Sequence, residues 1–253
     1  MKTKKGFSIA AVVVGLIVIA LVGLTVVLNN NQGSKADKYK EYGMTVLEAM
    51  DENGNIADHV KGDKDAPVVI FEYADYQCPG CASINPRVNS TIEKANGKLA
   101  IVYRNYLLSY HQNATAAASA AEAAGLQGYF KAYADKLFST QADWEYASAS
   151  ERTELFNKYF EEVTNKKGDL AKFNQDLASE AVSKKISFDM KIGKYIDVPG
   201  TPAFFIDGQF IDWGSTNGGK VVVNDKTIEW DHNLTGEEFS KLLLDIVEAK
   251  TAE

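Results

Sequence analysis

Cysteine is almost missing from this chain, with two in 253 residues. A scaffold stapled by several disulfides is thereby excluded. Histidine is nearly as scarce, and His59, His111 and His232 are too scattered to complete a four-ligand zinc site with the cysteines. A cationic excess is also lacking. Lysine and arginine number 27 against 34 acidic residues, a net charge of −7, which argues against nucleic acid or anionic headgroups as partners. No internal repeat is apparent.

The two cysteines that are present stand together as Cys78-Pro79-Gly80-Cys81. As a structural staple the pair would close a four-residue loop and remove only roughly 2 kcal/mol of unfolded-state entropy. The other bland reading is a pair of inert buried thiols. The flanking sequence points to redox chemistry instead. Val68 to Tyr73 is an apolar, β-branched and aromatic run suited to a strand buried on both faces. Pro79 suits the first turn of a helix, where its missing N–H costs nothing. Cys78 then lies at a helix N-terminus, which favours its thiolate, and Cys81 lies one turn further in. The first sulfur is the attacking one and the second resolves.

Glu72 shares a strand face with Val68 and Ile70, an acid in an otherwise buried run. It is either a strand-edge carboxylate reaching water or a carboxyl of raised pKa beneath the cysteines that exchanges a proton with Cys81. The six-residue spacing to Cys78 favours the second. Pro86 should kink the helix begun at Pro79. His111 is read either as lining the active-site groove or as a structural or surface residue.

Residues Gly6 to Leu28 are 23 consecutive uncharged, mostly apolar residues, enough as a helix for about 34 Å of hydrocarbon. Lys2, Lys4 and Lys5 precede them. The pattern predicts a short cytoplasmic N-terminus (1–5), an uncleaved single-pass anchor (6–28) and an exported remainder, with a cleaved signal peptide as the alternative. Either places the cysteines where disulfides persist. A linker and a short helix with Tyr39, Tyr42, Val46, Leu47 and Met50 on one face occupy 29–54. Lys61 to Ala66 reads as a charged turn. A second strand, Leu99–Tyr103, follows the crossover helix.

Between 113 and 196 the period is helical. Asn113 is expected to cap Ala114–Ala124, followed by Tyr129–Phe138, a helix from a Ser148/Glu151 capping box to Val163, then Leu170–Leu177 and Ser179–Tyr195. After Val198-Pro199-Gly200-Thr201-Pro202, a strand Ala203–Ile206 turns at Asp207-Gly208. Pro202 is a candidate cis-proline. A hairpin turning at Asn224-Asp225 and a last helix with a Thr235/Glu238 capping box end the chain.

This order, strand, C-x-x-C, kinked helix, strand, helical insertion, T-P, hairpin, helix, resembles the thioredoxin fold with the insertion of the DsbA-like family of thiol-disulfide oxidoreductases. The resemblance is carried by Asp65 to Cys81, by Pro86, by Tyr110 to Ala114, and by Gly200 to Gly208. It implies an α/β fold, a central mixed sheet flanked by helices. The thioredoxin-like domain would be split into 55–112 and 197–253 around an all-helical subdomain, 113–196. It also implies that Pro202 is cis, that Cys78 forms a mixed disulfide with the client and Cys81 resolves it, and that Thr201 and Pro202 flank the client groove. No metal or soluble cofactor is implied, because the disulfide is itself the oxidant. The expected partners are reduced or unfolded exported proteins and a membrane redox partner that restores the disulfide. Strongly oxidising members carry Pro-His where this chain has Pro79-Gly80. A membrane-tethered reductase or isomerase is the alternative of the same chemistry, and a non-catalytic holdase the alternative of another class.

Overall fold

The computed structural model describes residues 35–252. The expected cytoplasmic segment and anchor lie outside them. No helix among the described residues is long and apolar enough to cross a membrane.

A first helix, α1, covers 35–42. Strands β1 (His59–Gly62), β2 (Val68–Ala74), β3 (Leu99–Asn105), β4 (Ala203–Ile206) and β5 (Gln209–Phe210) form one mixed sheet in the order β1-β3-β2-β4-β5. β2 runs parallel to β3, joined through helix α2 (Pro79–Lys94), and the other pairs are antiparallel. The run of β-branched and aromatic residues in β2 and β3 is what a doubly covered central strand requires. Val68, Ile70, Phe204 and Ile206 meet Ile84 and Val88 of α2 and the apolar face of the last helix, α9 (Gly236–Thr251). Phe71, Tyr73 and Val102 pack on the other face with Tyr39, Phe188 and Ile192.

Six helices stand between β3 and β4: α3 (Ala114–Gly125), α4 (Phe130–Ser139), α5 (Gln141–Trp144), α6 (Ala149–Val163), α7 (Leu170–Asp176) and α8 (Glu180–Tyr195). Their aromatic stripes interlock as core, with Phe160 stacked on Phe173 at 4.3 Å and Trp144 edge-on to Phe156. The capping boxes at Ser148/Glu151 and Thr235/Glu238 are both formed. So is the two-residue turn at Asn224-Asp225, where both residues adopt positive φ, between β6 (Gly219–Val223) and β7 (Lys226–Trp230). The Gln209 side chain ties this hairpin to β5: its amide donates to the Val222 carbonyl at 2.8 Å, and its oxygen accepts from the Val222 N–H at 3.0 Å.

Three expectations are corrected. The helix expected to reach Met50 stops at residue 42, because Arg104 of β3 claims the carbonyl oxygens of Tyr42 and Thr45, while the Leu47 N–H turns to Asp58. Lys61 belongs to β1 and is 1% exposed, not part of a charged turn. Asn113 makes no cap for α3: its side-chain amide donates instead to the carbonyls of Trp144, Glu145 and Ala147. The short α5, unforeseen, is what those bonds terminate.

A buried ionic network fastens this frame. Arg104 holds Asp58 through two nitrogens, at 2.6 and 3.3 Å, and Lys185 of α8 reaches both Asp58 and Asp189 at 2.9 and 2.8 Å. Burial works against the Asp58 charge, but the two cations prevail and hold its carboxyl below the usual range. Asn105 links Asp189 to Glu122, which is paired with His59 at 2.7 Å.

Candidate functional site

Cys78 ends the loop after β2 and is the N-cap of α2, with Pro79 in the first turn and Pro86 inside the helix. Both cysteines are free thiols, Cys78 7% exposed and Cys81 fully buried. The loop is folded by Asp75, whose carboxylate accepts from the Gln77 and Leu108 N–H groups and from His111 at 2.8 Å. His111 thus braces the loop. Gln77 in turn spans to the helical insertion, donating to the Glu145 carbonyl and accepting from the Asn113 N–H. Gln141 of α5 donates to the carbonyls of Tyr76 and Cys78 at 2.7 and 3.1 Å. These bonds fix the loop that carries the first cysteine.

The peptide bond between Thr201 and Pro202 is cis, and it brings this loop against the cysteines. The Cys78 Sγ lies 3.2 Å from the Thr201 carbonyl oxygen. A Cβ added at Gly80 would meet the Pro202 ring at 3.1 Å, so the Pro-Gly dipeptide and the cis-proline are in close contact. The sites expected at Cys78, Pro79, Gly80, Cys81, Thr201 and Pro202 therefore converge on one spot.

The two sulfurs differ electrically. The Thr201 carbonyl can accept only from the protonated Cys78, which favours the thiol, and partial burial acts in the same direction. Against these stand the Cys81 S–H, foremost, then the Thr201 side chain and the N–H groups of Cys81 and Gly80, all favouring the thiolate. The balance places Cys78 at about 5, down from 9.0. Cys81 moves the opposite way, well above 9.0, because it is buried, faces Cys78 and lies near Glu72.

Glu72 is fully buried on β2, paired in register with Tyr103 of β3. Neither of its carboxyl oxygens has a hydrogen-bond partner among the described residues. Burial raises its pKa, moderated by Lys61 and reinforced by Asp135. The strand-edge reading of Glu72 is thus overturned in favour of the buried one. Lys61, which the sequence reading missed, donates to Asn85 at 2.7 Å and pairs with Asp135 at 3.6 Å. The alternation Val60-Lys61-Gly62 was too short a strand signal to reveal it.

The arrangement supplies a nucleophilic thiolate at a helix N-terminus, a buried partner thiol and a carboxyl able to hold a proton behind it. Each of the three histidines is engaged with a carboxylate. No metal-ligand cluster occurs among the described residues.

The sequence profile of the thioredoxin family matches residues 54–219. Solved structures with this fold include oxidised BdbD from Bacillus subtilis, 19% identical with a TM-score of 0.57, covering 83% of this chain and 99% of that one. Others are alpha-DsbA1 of Wolbachia pipientis (22%, TM-score 0.55, 76% and 92%) and a thioredoxin-like oxidoreductase of Silicibacter pomeroyi DSS-3 (20%, TM-score 0.54, 79% and 98%). Among curated proteins, the Na(+)/H(+) antiporter NhaA 1 of Salinispora arenicola is 33% identical over 156 residues, and its counterpart from Mycobacterium sp. strain KMS is 29% identical over 170. The alignments cover 60% and 66% of this chain but only 22% and 26% of the antiporters. The likeness is to one segment of each antiporter.

Proposed function

The chain belongs to the thioredoxin family, and from that premise we propose that it is an extracytoplasmic thiol-disulfide oxidoreductase that forms disulfides in exported proteins through Cys78 and Cys81. The observation that carries the reading is the placing of the two sulfurs, Cys78 at the N-terminus of α2 against the cis Thr201-Pro202 loop and Cys81 buried one turn further in, which favours a thiolate at the first and a thiol at the second. A thiolate so stabilised favours the reduced dithiol, and a protein whose reduced form is favoured gives its disulfide away.

The client thiolate attacks Cys78 Sγ, the Cys78–Cys81 bond breaks, and its electron pair goes to Cys81 Sγ, which takes a proton from Glu72. A second client thiolate then attacks the client sulfur of the mixed disulfide, releasing oxidised client and the Cys78 thiolate. Thr201 and Pro202 flank the client groove, the Thr201 backbone pairing with the client as an added strand would. A membrane redox partner restores the disulfide. The apolar run 6–28 behind three lysines supports a membrane tether with the catalytic domain outside.

The test is equilibration with glutathione buffers together with two variants. A potential near or above the roughly −180 mV of protein disulfide isomerase supports an oxidase, and one near thioredoxin's roughly −270 mV supports the reductase. Cys81→Ala, offered clients that carry a disulfide, should accumulate mixed disulfides through Cys78, and Cys78→Ala should oxidise no reduced client. If Cys78→Ala oxidised a reduced client at the wild-type rate, the reading would be wrong. A holdase would bind unfolded chains equally well after Cys78 is alkylated.

A further inference from the structure

The N-cap of α2 is a cysteine, where helices usually place Ser, Thr, Asp or Asn. Cys78 has the extended backbone of a cap, φ −76° and ψ 121°, and its carbonyl accepts the first bond of the helix, from the Ala82 N–H at 3.1 Å. As a thiol its side chain makes no capping bond. As a thiolate it faces the N–H groups of Gly80 and Cys81. Those groups can serve the sulfur only while the Cys78 backbone keeps this turn. On the loop side the turn is held by the Cys78 N–H, which donates to the Asp75 carbonyl at 3.0 Å.

On the carbonyl side the hold comes from another subdomain. Gln141 of α5 donates from Nε2 to the Tyr76 carbonyl at 2.7 Å and to the Cys78 carbonyl at 3.1 Å. A carboxamide nitrogen carries two hydrogens, so it can make both bonds at once. The two carbonyls belong to the Tyr76–Gln77 and Cys78–Pro79 peptide groups, so the backbone bearing the sulfur is gripped before and after it. The same donor offsets the negative ends of two carbonyl dipoles beside a sulfur that must carry charge. Nor does α5 follow the loop passively. Trp144 is fully buried with its Nε1 donating to the Leu137 carbonyl at 3.0 Å, and the Asn113 and Gln77 amides both donate to the Glu145 carbonyl. Gln141 therefore reaches the cysteine from an anchored base.

We propose that Gln141, on the helical insertion, is a positioning residue that sets the reactivity of Cys78 by holding its backbone in the capping turn, with the sulfur over the free N–H groups of α2. The proposal rests on the oxidoreductase reading above. Gln141 takes no part in electron or proton transfer and acts only through the Cys78 backbone. In the dithiol it keeps the thiolate where the Gly80 and Cys81 N–H groups stabilise it. That favours the reduced form, and a protein whose reduced form is favoured gives its disulfide away more readily. The insertion thereby helps to set the redox poise of a site whose cysteines lie outside it.

The test compares the full wild-type chain with Gln141→Met, which keeps the length of the side chain and removes the donor, and with Gln141→Glu, which sets a carboxylate against the two carbonyls. Two quantities are read: the pH midpoint of Cys78 alkylation and the equilibrium constant with glutathione. Gln141→Met should raise the midpoint by about half a unit and make the protein a weaker oxidant by about threefold, the same change expressed as an equilibrium. Gln141→Glu should do more, on the order of tenfold. A folded Gln141→Met with both quantities at their wild-type values overturns the proposal, even if its urea midpoint falls, because a bond that merely stabilises the loop would give that result. Should neither variant fold, the side-chain amide signals of Gln141 in the NMR spectrum of the reduced wild-type chain decide. Signals that move with pH at the Cys78 midpoint support the coupling, and signals that do not move overturn it. A wild-type chain that gave no disulfide to reduced glutathione at any ratio would instead defeat the oxidoreductase reading, and the proposal with it.

Discussion

Cys78 and Thr201, 123 positions apart in sequence, meet with the sulfur 3.2 Å from the threonine carbonyl oxygen. The same residue also offers a hydroxyl, buried and without a partner among the described residues. The carbonyl can hold only a thiol, whereas the hydroxyl can donate to a thiolate. Thr201 thus carries a group suited to each protonation state of Cys78, of which the carbonyl is the one engaged here.

Replacing that hydroxyl separates the two groups. Thr201→Val keeps the carbonyl and the shape but removes the donor, so the Cys78 pKa should rise from about 5 by up to about one unit. The pH dependence of iodoacetamide alkylation reads it. An unchanged midpoint would mean that Cys81 and the backbone N–H groups stabilise the thiolate unaided.

The depressed Cys78 pKa makes the stability of the reduced protein depend on pH. Its folded value is about 5 and an unfolded cysteine has about 8.5. The thiolate's contribution is thus present above pH 8.5, shrinks as the pH falls through that window and is gone below 5. The oxidised protein lacks the group. Urea unfolding of both forms should show reduced minus oxidised stability falling steadily from pH 8.5 to pH 5, and a constant difference would contradict the thiolate assignment.

Glu72→Gln should stabilise and slow the protein at once. The neutral amide removes the cost of ionising a buried carboxyl, a cost that grows as pH rises above the unfolded value near 4.5. At neutral pH the gain should be about 1 kcal/mol, within the usual range for relieving a strained functional site. Release of Cys81 should slow on the order of 10- to 100-fold. Denaturant midpoints and single-turnover peptide oxidation would check the two effects, and a variant both less stable and equally fast would count against the role of Glu72.

Arg104→Met strands Asp58, whose other cation, Lys185, is shared with Asp189. Removing one partner of a buried ion pair costs about 3–5 kcal/mol. The loss should appear in chemical denaturation while the Cys78 alkylation profile stays in place, since the network lies apart from the sulfurs. A change under 1 kcal/mol, typical of exposed pairs, would show that the network is relaxed or hydrated.

Much of the frame was legible because local chemistry and tertiary role agree. Ser148/Glu151, Thr235/Glu238 and Asn224-Asp225 are short-range signals, and each forms where expected. Val68 to Tyr73 announces a covered strand through composition alone. The failures share one cause, which is polar side chains spending their hydrogen bonds on distant partners. Asn113 resembles a cap, but it serves carbonyls more than thirty residues away. The 43–50 segment has helical spacing, but Arg104 and Asp58 capture its backbone. Lys61 reads as a surface charge until β3 and α2 enclose it. At the site, the cysteines and Glu72 could be found by spacing, whereas Lys61, Asp135 and Gln141 become visible only when the insertion folds over α2.

The bond pair between the Gln209 carboxamide and the backbone of Val222 bears on how this molecule survives its proposed work. An open strand edge is a template on which another chain can polymerise, and a protein that handles unfolded chains meets such partners constantly. A side chain that mimics a peptide group draws β6 alongside β5, so the last strand of the sheet is not left as a bare row of N–H and C=O groups. Of the sheet's two ends, β1 and β5, the β5 end is thus the one that a side chain closes.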